Sequence, residues 1–597
     1  MTFPTLPPEP DLSERENAIF DFWKQNNIDQ KVQDSTKNNP PFTFLEGPPT
    51  ANGLPHVGHM LTRVIKDVYL RYKTMTGHFV TPRIGGWDCH GLPVEIEVEK
   101  ELGLESKEDI ESYGIEKFIQ KCRESVMRYV KEWEYMSERC GFQLNMPKSY
   151  ITMSEEYIES VWWSLKQIYD KKLLFKGHKV LPYCNRCGTP LSSHEVAQGY
   201  RETEDPSIYI KFKIKGEENR YFLAWTTTPW TLLSNLVLAI NKDETYIEVE
   251  HNNEFLIFAE ALLLKVFPEG KARVKEYIGK ELLDMEYEAL FSYTREKTKG
   301  KRHIVVAADF VSMEDGTGIV HCAPAFGVED YELCQEVGVE LFNPVLENGH
   351  FVDDMPDFGG MHVKEADPHI MKQLEENNKL LRIENITHTY PFCWRCDSPL
   401  LYYAIESWFI GMSKVRQKIQ ELNQQIRWKP KHLKDGRFGN FLDELKDWSL
   451  SRSRYWGTPL PIWTCENGDE FIIGSREELE TLTDGGLPKG FSLHKPDVDL
   501  ITVRCPTCNA KAIREEYVID CWYDSGAATF AQWHYPFENK EMFDNHFPIN
   551  FITEAIDQTR GWFYSLLAIS TVVFEEPAYT TCLTMGHIQD EEGKKMS

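Results

Sequence analysis

Two histidines three residues apart, His56 and His59, follow a turn-rich run, Gly47-Pro48-Pro49-Thr50-Ala51-Asn52-Gly53, and the sequence closes on Lys594-Lys595-Met596-Ser597. Imidazole N–H groups and ammonium groups are partners for phosphate oxygens. Phe42-Thr43-Phe44-Leu45-Glu46 ahead of the run reads as a short strand, and Leu61, Val64, Ile65, Val68, Tyr69 and Tyr72 behind it keep helical spacing, which predicts a helix with one buried apolar face. Strand, Gly/Pro loop and helix start make a natural anion site, because a helix N-terminus presents unpaired N–H groups. Gly58, with no Cβ, would let a flat ring lie against the backbone. Two structural histidines in a loop are the plain alternative.

Cysteine supplies the second chemistry. Six of the 14 cysteines form three C-x-x-C pairs. Pro182-Tyr183-Cys184-Asn185-Arg186-Cys187 is nearly repeated as Pro391-Phe392-Cys393-Trp394-Arg395-Cys396, and each copy runs on through a Thr/Ser-Pro-Leu. Two such knuckles provide the four thiolates of a closed tetrahedral Zn²⁺ site, which would staple the ends of an inserted segment together; redox-active pairs or free thiols are the alternative. The third pair, Cys505 and Cys508, has only Cys465 upstream. His494 or Cys521 would complete its set, or the ribbon holds no metal.

Inside the insertion, Trp225-Thr226-Thr227-Thr228-Pro229-Trp230-Thr231 places hydroxyls ahead of a proline, as in a loop at a strand end. Gly316-Thr317-Gly318 then leads through His321 to Asp330. By themselves these are ordinary turn residues.

The elements that must hold these groups need several cores. At 597 residues, about four domains are expected, and 41% hydrophobic residues suffice to fill them. A formal charge of −27 argues against a protein that coats nucleic acid by bulk electrostatics, though Arg295 to Arg302 and Arg427 to Arg437 are local basic runs, or simply solvated loops. The N-terminus lacks a signal-peptide pattern, the longest apolar-leaning run, 565–574, is too short to cross a bilayer, and paired cysteines suit a reducing compartment, so a soluble cytoplasmic chain with no membrane partner is expected.

The His56–His59 stretch resembles the "HIGH" signature of class I aminoacyl-tRNA synthetases. The 47–53 run, Gly86-Trp87-Asp88-Cys89-His90-Gly91-Leu92-Pro93, the 448–457 run WSLSRSRYWG, Asp520-Cys521-Trp522-Tyr523-Asp524-Ser525-Gly526 and Asp557-Gln558-Thr559-Arg560-Gly561-Trp562-Phe563 are similar to the isoleucine, valine and leucine branch, and nearest to its isoleucine members. The closing Lys-Lys-Met-Ser resembles the start of "KMSKS". The resemblance implies an α/β protein: a Rossmann-type parallel-sheet catalytic domain split by a large, mainly β/α+β editing domain and zinc-ribbon-like modules. Its implied divisions are 1–181 (arm and first catalytic half), 182–200 with 388–405 (zinc-knuckle stem), 201–387 (editing insertion), 406–515 (connective region with a second ribbon) and 516–597 (second catalytic half).

By the same resemblance, the reaction joins L-isoleucine to tRNA(Ile) through an adenylate made from ATP with Mg²⁺. His56, Gly58, His59 and Lys595 would bind ATP, with His56, His59 and Lys595 catalytic. Pro48, Trp522 and Trp562 would line the side-chain pocket, Asp88 and Glu554 would face the substrate ammonium, and Asp557 and Gln558 would contact ribose and amino acid. In the editing pocket Asp330 would hold the α-amino group of a mischarged product, Thr227 and Thr228 would position ester and water, and His321 would limit the side chain; Thr226 and Asn235 belong to the same pocket. A second sieve has a physical reason, since one methylene is worth only about 0.8 kcal/mol of burial. A monomer is expected, and an N-terminal piece without the family's anticodon-binding region, with weak activation because half of the mobile lysine pair is missing. The alternatives are a valine-specific member and a non-catalytic or editing-only RNA-binding relative.

Overall fold

The computed structural model describes residues 11–197 and 199–593. The chain divides into two compact units, one of residues 1–175 with 408–597 and the other of residues 176–407.

In the first unit β1 (Pro41–Thr43) pairs in parallel with β2 (Phe79–Thr81), which returns through helix α1 (Val57–Met75). From the far end of the sequence, β4 (Ile552–Ala555) and β5 (Thr581–Met585) pair in parallel, and β3 (Arg427–Lys429) adds to β5. A parallel bridge between Phe44 and Phe551 joins the two sets, so the strands run in the order β3-β5-β4-β1-β2. The seam is reciprocal: Thr43 N–H donates to Asn550 Oδ1 at 2.9 Å and Asn550 N–H donates to Thr43 Oγ1 at 2.7 Å. A parallel array of this kind, closed by crossover helices, is the Rossmann-type arrangement the motifs imply.

Helix α2 (Trp562–Val573), the crossover between β4 and β5, is buried almost all round, which accounts for its unbroken apolar run. No described helix is long and apolar enough to cross a membrane. The basic run 427–437 is partly structural: Trp428 and Leu433 are buried, and Arg437 donates to Thr559 Oγ1 at 3.0 Å.

Helix α1 overturns one expectation. Val64, Val68 and Tyr72 are exposed, while Arg63, Lys66 and Asp67 are buried. Apolar periodicity alone makes the stripe the inward face. The helix instead turns its charges inward because the sheet beside it offers buried carboxylates, and burying an ion costs little only where partners await it.

The second unit is mainly β. A six-stranded sheet runs Arg273–Ile278, Thr245–His251, Glu254–Ala259, Arg220–Thr226, Tyr200–Lys213, Leu380–Pro391, and a three-stranded sheet runs Ile304–Ala307, Val237–Ile240, Ile319–Cys322. Two strands far apart in the sequence, Tyr200–Lys213 and Leu380–Pro391, pair antiparallel down to Tyr200 opposite Pro391.

Candidate active site, insertion pocket and cysteine clusters

The sequence explains why the histidine pair sits where it does. His56 is the N-cap of α1, and its Nδ1 accepts from Gly58 N–H at 3.1 Å. His59, in the first turn, accepts from His56 N–H through its own Nδ1 at 3.1 Å. The two imidazoles thus form a reciprocal capping box, with ring centroids 3.7 Å apart. Since both Nδ1 atoms accept, each ring carries its proton on Nε2, and the helix start has two N–H donors suited to phosphate. Gly58 serves this cap: an added Cβ would stand 2.8 Å from His56 Cε1, so the glycine makes room for the histidine ring itself.

The loops that leave β1 and β4 lie at the same edge, because these strands are parallel neighbours. Ligands of open α/β sheets bind outside the carboxyl ends of the strands. Asp88 is fixed by its N–H to Pro49 O at 3.0 Å, beside Pro48. Glu554 is the penultimate residue of β4, and Asp557 and Gln558 follow in a 3-10 turn. Gln558 Oε1 accepts from Trp562 N–H at 3.0 Å, Trp562 Nε1 donates to Ser525 O at 3.1 Å, and the Trp522 ring closes over Gly561, whose Cβ would stand 2.8 Å from it. Asp557 Oδ1 lies 3.2 Å from Nε2 of His587, on the segment leaving β5 toward the carboxyl end. Lys595 lies outside the described residues.

The intervening motifs brace this edge. Gly91 N–H donates to Trp456 O at 3.1 Å, Trp456 Nε1 donates to Cys89 O at 2.6 Å, and Arg454 pairs with Glu95 and Glu99. His90 Nδ1 lies 2.9 Å from Asp524 Oδ2 and its Nε2 lies 3.0 Å from His494 Nε2. Burial holds the two imidazoles neutral, lowering His90 to about 3 and His494 to about 4. His494 is therefore engaged in this network.

A sequence model of one family, tRNA synthetases class I (I, L, M and V), matches residues 18–597. The chain belongs to that family. Among its relatives, the isoleucine–tRNA ligase of Clostridium acetobutylicum is 52% identical over 582 residues, which is 98% of this chain and 56% of that one. The corresponding ligase of Thermoplasma acidophilum is 48% identical over 597 residues (100% and 58%), and that of Thermus thermophilus 48% over 595 residues (99% and 56%). The chain thus spans somewhat more than half the length of these relatives.

In this class I synthetase chain the inserted unit carries a hydroxyl relay. Thr226 ends its strand, and its Oγ1 lies 3.3 Å from Thr228 Oγ1, which lies 3.1 Å from Thr231 Oγ1, which lies 2.9 Å from His321 Nε2. Thr231 was legible only as part of the threonine-rich run, and no role was read for it. Thr227, between the first two, is partly exposed. Burial lowers His321 to about 4, so it is neutral. Asp330 Oδ2 accepts from Ala323 N–H at 2.8 Å, and burial, opposed by that bond, raises its carboxyl to about 7. Asn235 is cross-braced: Oδ1 accepts from Tyr287 Oη at 2.7 Å and Nδ2 donates to Val237 O at 3.1 Å. Gly316 and Gly318 both take positive φ, 73° and 71°, in the turn that delivers the His321 strand.

The knuckles converge. Ligand atoms of Cys184, Cys187, Cys393 and Cys396 all lie within 4.8 Å of one another, as a tetrahedral Zn²⁺ with ~2.3 Å bonds requires. The second ribbon corrects the sequence reading: the group beside Cys465, Cys505 and Cys508 is Asp469, not His494 or Cys521. Asp469 Oδ2 lies 3.6 Å from Cys465 Sγ and 3.7 Å from Cys505 Sγ. Its signal is its place four residues after Cys465, which a spacing rule for cysteine alone does not mark. Both donor sets fit a zinc ion; the second is more exposed and less thiolate-rich.

Proposed function

We propose that the chain activates L-isoleucine with ATP and passes the aminoacyl group to the terminal ribose of tRNA(Ile), and that the inserted unit hydrolyses valyl-tRNA(Ile). The observation that carries the reading is the seam between β1 and β4, which brings the histidine-capped helix start and the Glu554–Trp562 segment to one edge of one sheet. Identity of about half to isoleucine–tRNA ligases favours isoleucine over the valine-specific alternative.

The isoleucine carboxylate attacks the α-phosphorus of ATP; an acyl–phosphate bond forms, the bond to the β-phosphate oxygen breaks, and pyrophosphate leaves with the electron pair. The substrate supplies the nucleophile, so the protein positions the reactants and stabilises charge. Mg²⁺ enters with ATP as part of the substrate. Nε2–H of His56 and His59 meets the phosphates, and Lys595 meets the leaving group. Asp88 and Glu554 receive the ammonium, Trp522, Trp562 and Pro48 enclose the aliphatic chain, and Asp557 and Gln558 orient ribose and amino acid. In the insertion Asp330 takes the ammonium of the mischarged product, Thr226, Thr227 and Thr228 hold ester and water, His321 bounds the side chain and Asn235 supports the loop from below. Zinc on Cys184, Cys187, Cys393 and Cys396 would close the stem, and zinc on Cys465, Asp469, Cys505 and Cys508 would close the second ribbon.

A non-hydrolysable isoleucyl-sulfamoyl adenylate tests the synthetic site without requiring turnover. Calorimetric binding about fourfold tighter than that of the valyl analogue is expected, the ratio that the ~0.8 kcal/mol of one buried methylene allows. Equal or reversed affinities overturn the isoleucine assignment.

A further inference from the structure

Helix α1 buries a lysine that the proposed reaction has not used. Lys66 has 1% of its side chain exposed, forms an ion pair with Glu554, and lies 3.1 Å from Glu46 Oε2. Glu46, the last residue before the 47–53 loop, is 2% exposed, and Arg63 Nη2 approaches its other oxygen at 3.9 Å. Two cations and two anions therefore share one nearly dry site. Glu554 is the member that reaches outward, with 19% of its side chain exposed. Its Oε1 meets Lys66 and also rests on Gly47, where an added Cβ would stand 2.5 Å away. The glycine that opens the loop is thus the seat of the carboxylate, and Lys66 fixes the oxygen that rests there.

We infer that Lys66 is a positioning residue for ligand recognition: by fixing Oε1 of Glu554 against Gly47 it turns Oε2 toward the ammonium group of the bound amino acid. This rests on the proposed isoleucine reading and adds to it a residue that touches no substrate. A carboxylate in a dry site protonates unless a cation stays beside it, and a neutral carboxyl attracts an ammonium weakly. Burial raises the Glu554 carboxyl and Glu46 raises it further, whereas Lys66 and Arg63 lower it. Among the described residues, the other titratable groups at this cluster include Tyr150, whose Oη donates to Glu46 O at 2.9 Å, Cys582 on β5, and Asp88, which acts on Tyr150 alongside Glu46 and Glu554; burial raises Tyr150 and Cys582, so both are neutral. Glu46 and Lys66 therefore act on Glu554 with opposite sign, so substituting them should move its titration in opposite directions.

Isoleucyl-sulfamoyl adenylate binding to the chain, measured by calorimetry from pH 6 to pH 9, tests this. Lys66→Met should weaken binding about tenfold at high pH and about a hundredfold at low pH, because the Glu554 titration moves upward. Glu46→Gln should move the same titration downward and flatten the profile. Glu554→Gln should match Lys66→Met at low pH, and the double variant Lys66→Met/Glu554→Gln should be no weaker than Glu554→Gln alone. A pH-independent loss in Lys66→Met, or additive losses in the double variant, overturns the inference while leaving the isoleucine reading intact. Absence of binding by the unsubstituted chain overturns both. Should Lys66→Met fail to fold, the Glu46→Gln shift decides: a profile unmoved, or moved upward, refutes the inference.

Discussion

Because His56 and His59 each use Nδ1 on a backbone N–H, their capping role and the phosphate-binding role proposed for them fall on different atoms and can be separated. Asparagine places Oδ1 near the position of Nδ1 and is itself a strong N-cap. His56→Asn should therefore stay within about 0.5 kcal/mol of the parent in urea unfolding, yet lose about a hundredfold in adenylate formation, the usual cost of one missing donor to developing charge. A parallel loss of stability and activity would show that the ring acts only as a cap. Asp330 offers a second test at this scale. Its folded-state carboxyl, at about 7, lies well above its ordinary value of 3.8. The folded state thus binds that proton more tightly than the unfolded chain, so the stability it contributes is full below about pH 4 and is lost as pH rises through about 7. Asp330→Asn should match the parent near pH 4 and exceed it by about 1 kcal/mol or more at pH 8 in thermal unfolding. An unchanged or opposite pH trend would contradict the buried carboxyl. The same substitution should abolish hydrolysis of valyl-tRNA(Ile).

Helix α1 is the element whose presence was legible and whose orientation was not. Leu61, Val64, Ile65, Val68, Tyr69 and Tyr72 keep a perfect helical spacing, and periodicity alone assigns the apolar stripe to the core. The inward partners are Glu46, fifteen residues or more upstream of the stripe, and Glu554, from the other end of the sequence; a local pattern holds no information about carboxylates that distant. The prediction that follows inverts the usual rule. Val68→Lys, at 63% exposure, should cost no more than about 0.5 kcal/mol. Arg63→Leu leaves Glu46 with one cation fewer and removes the 2.7 Å bond from Nε to Ser137 Oγ, and should cost about 3 kcal/mol in urea unfolding. If the valine proved the costlier site, the helix would face the other way. By contrast, the threonine run at the end of the Arg220–Thr226 strand and the glycine turn before His321 were readable, because turn chemistry is local.

At the scale of the whole molecule, the duplicated knuckles are the local signal for a chain that returns to its start, since two half-sites for one metal would bring their surroundings together, and the four thiols do converge within the unit of residues 176–407. What the knuckles could not specify was the second ribbon, where a carboxylate, Asp469, lies with three thiols and no spacing rule for cysteine applies. The two donor sets should differ in strength for two reasons: thiolate is the softer and better zinc ligand, and an exposed set exchanges with solvent more readily than a buried one. Two zinc ions per chain are expected, the one on Cys465, Asp469, Cys505 and Cys508 leaving first as chelator is raised. Asp469→Ala should empty that position about 10–100-fold more readily and leave the other untouched. Cys396→Ser acts on the opposite unit. Each unit has its own buried core, so heat should unfold them in two transitions, and this substitution should lower only that of residues 176–407. Calorimetry with metal content measured alongside checks both claims. A single transition that moved as a whole, or one zinc lost from both variants alike, would mean that the two clusters are not independent and that the insertion is not a separately stabilised body.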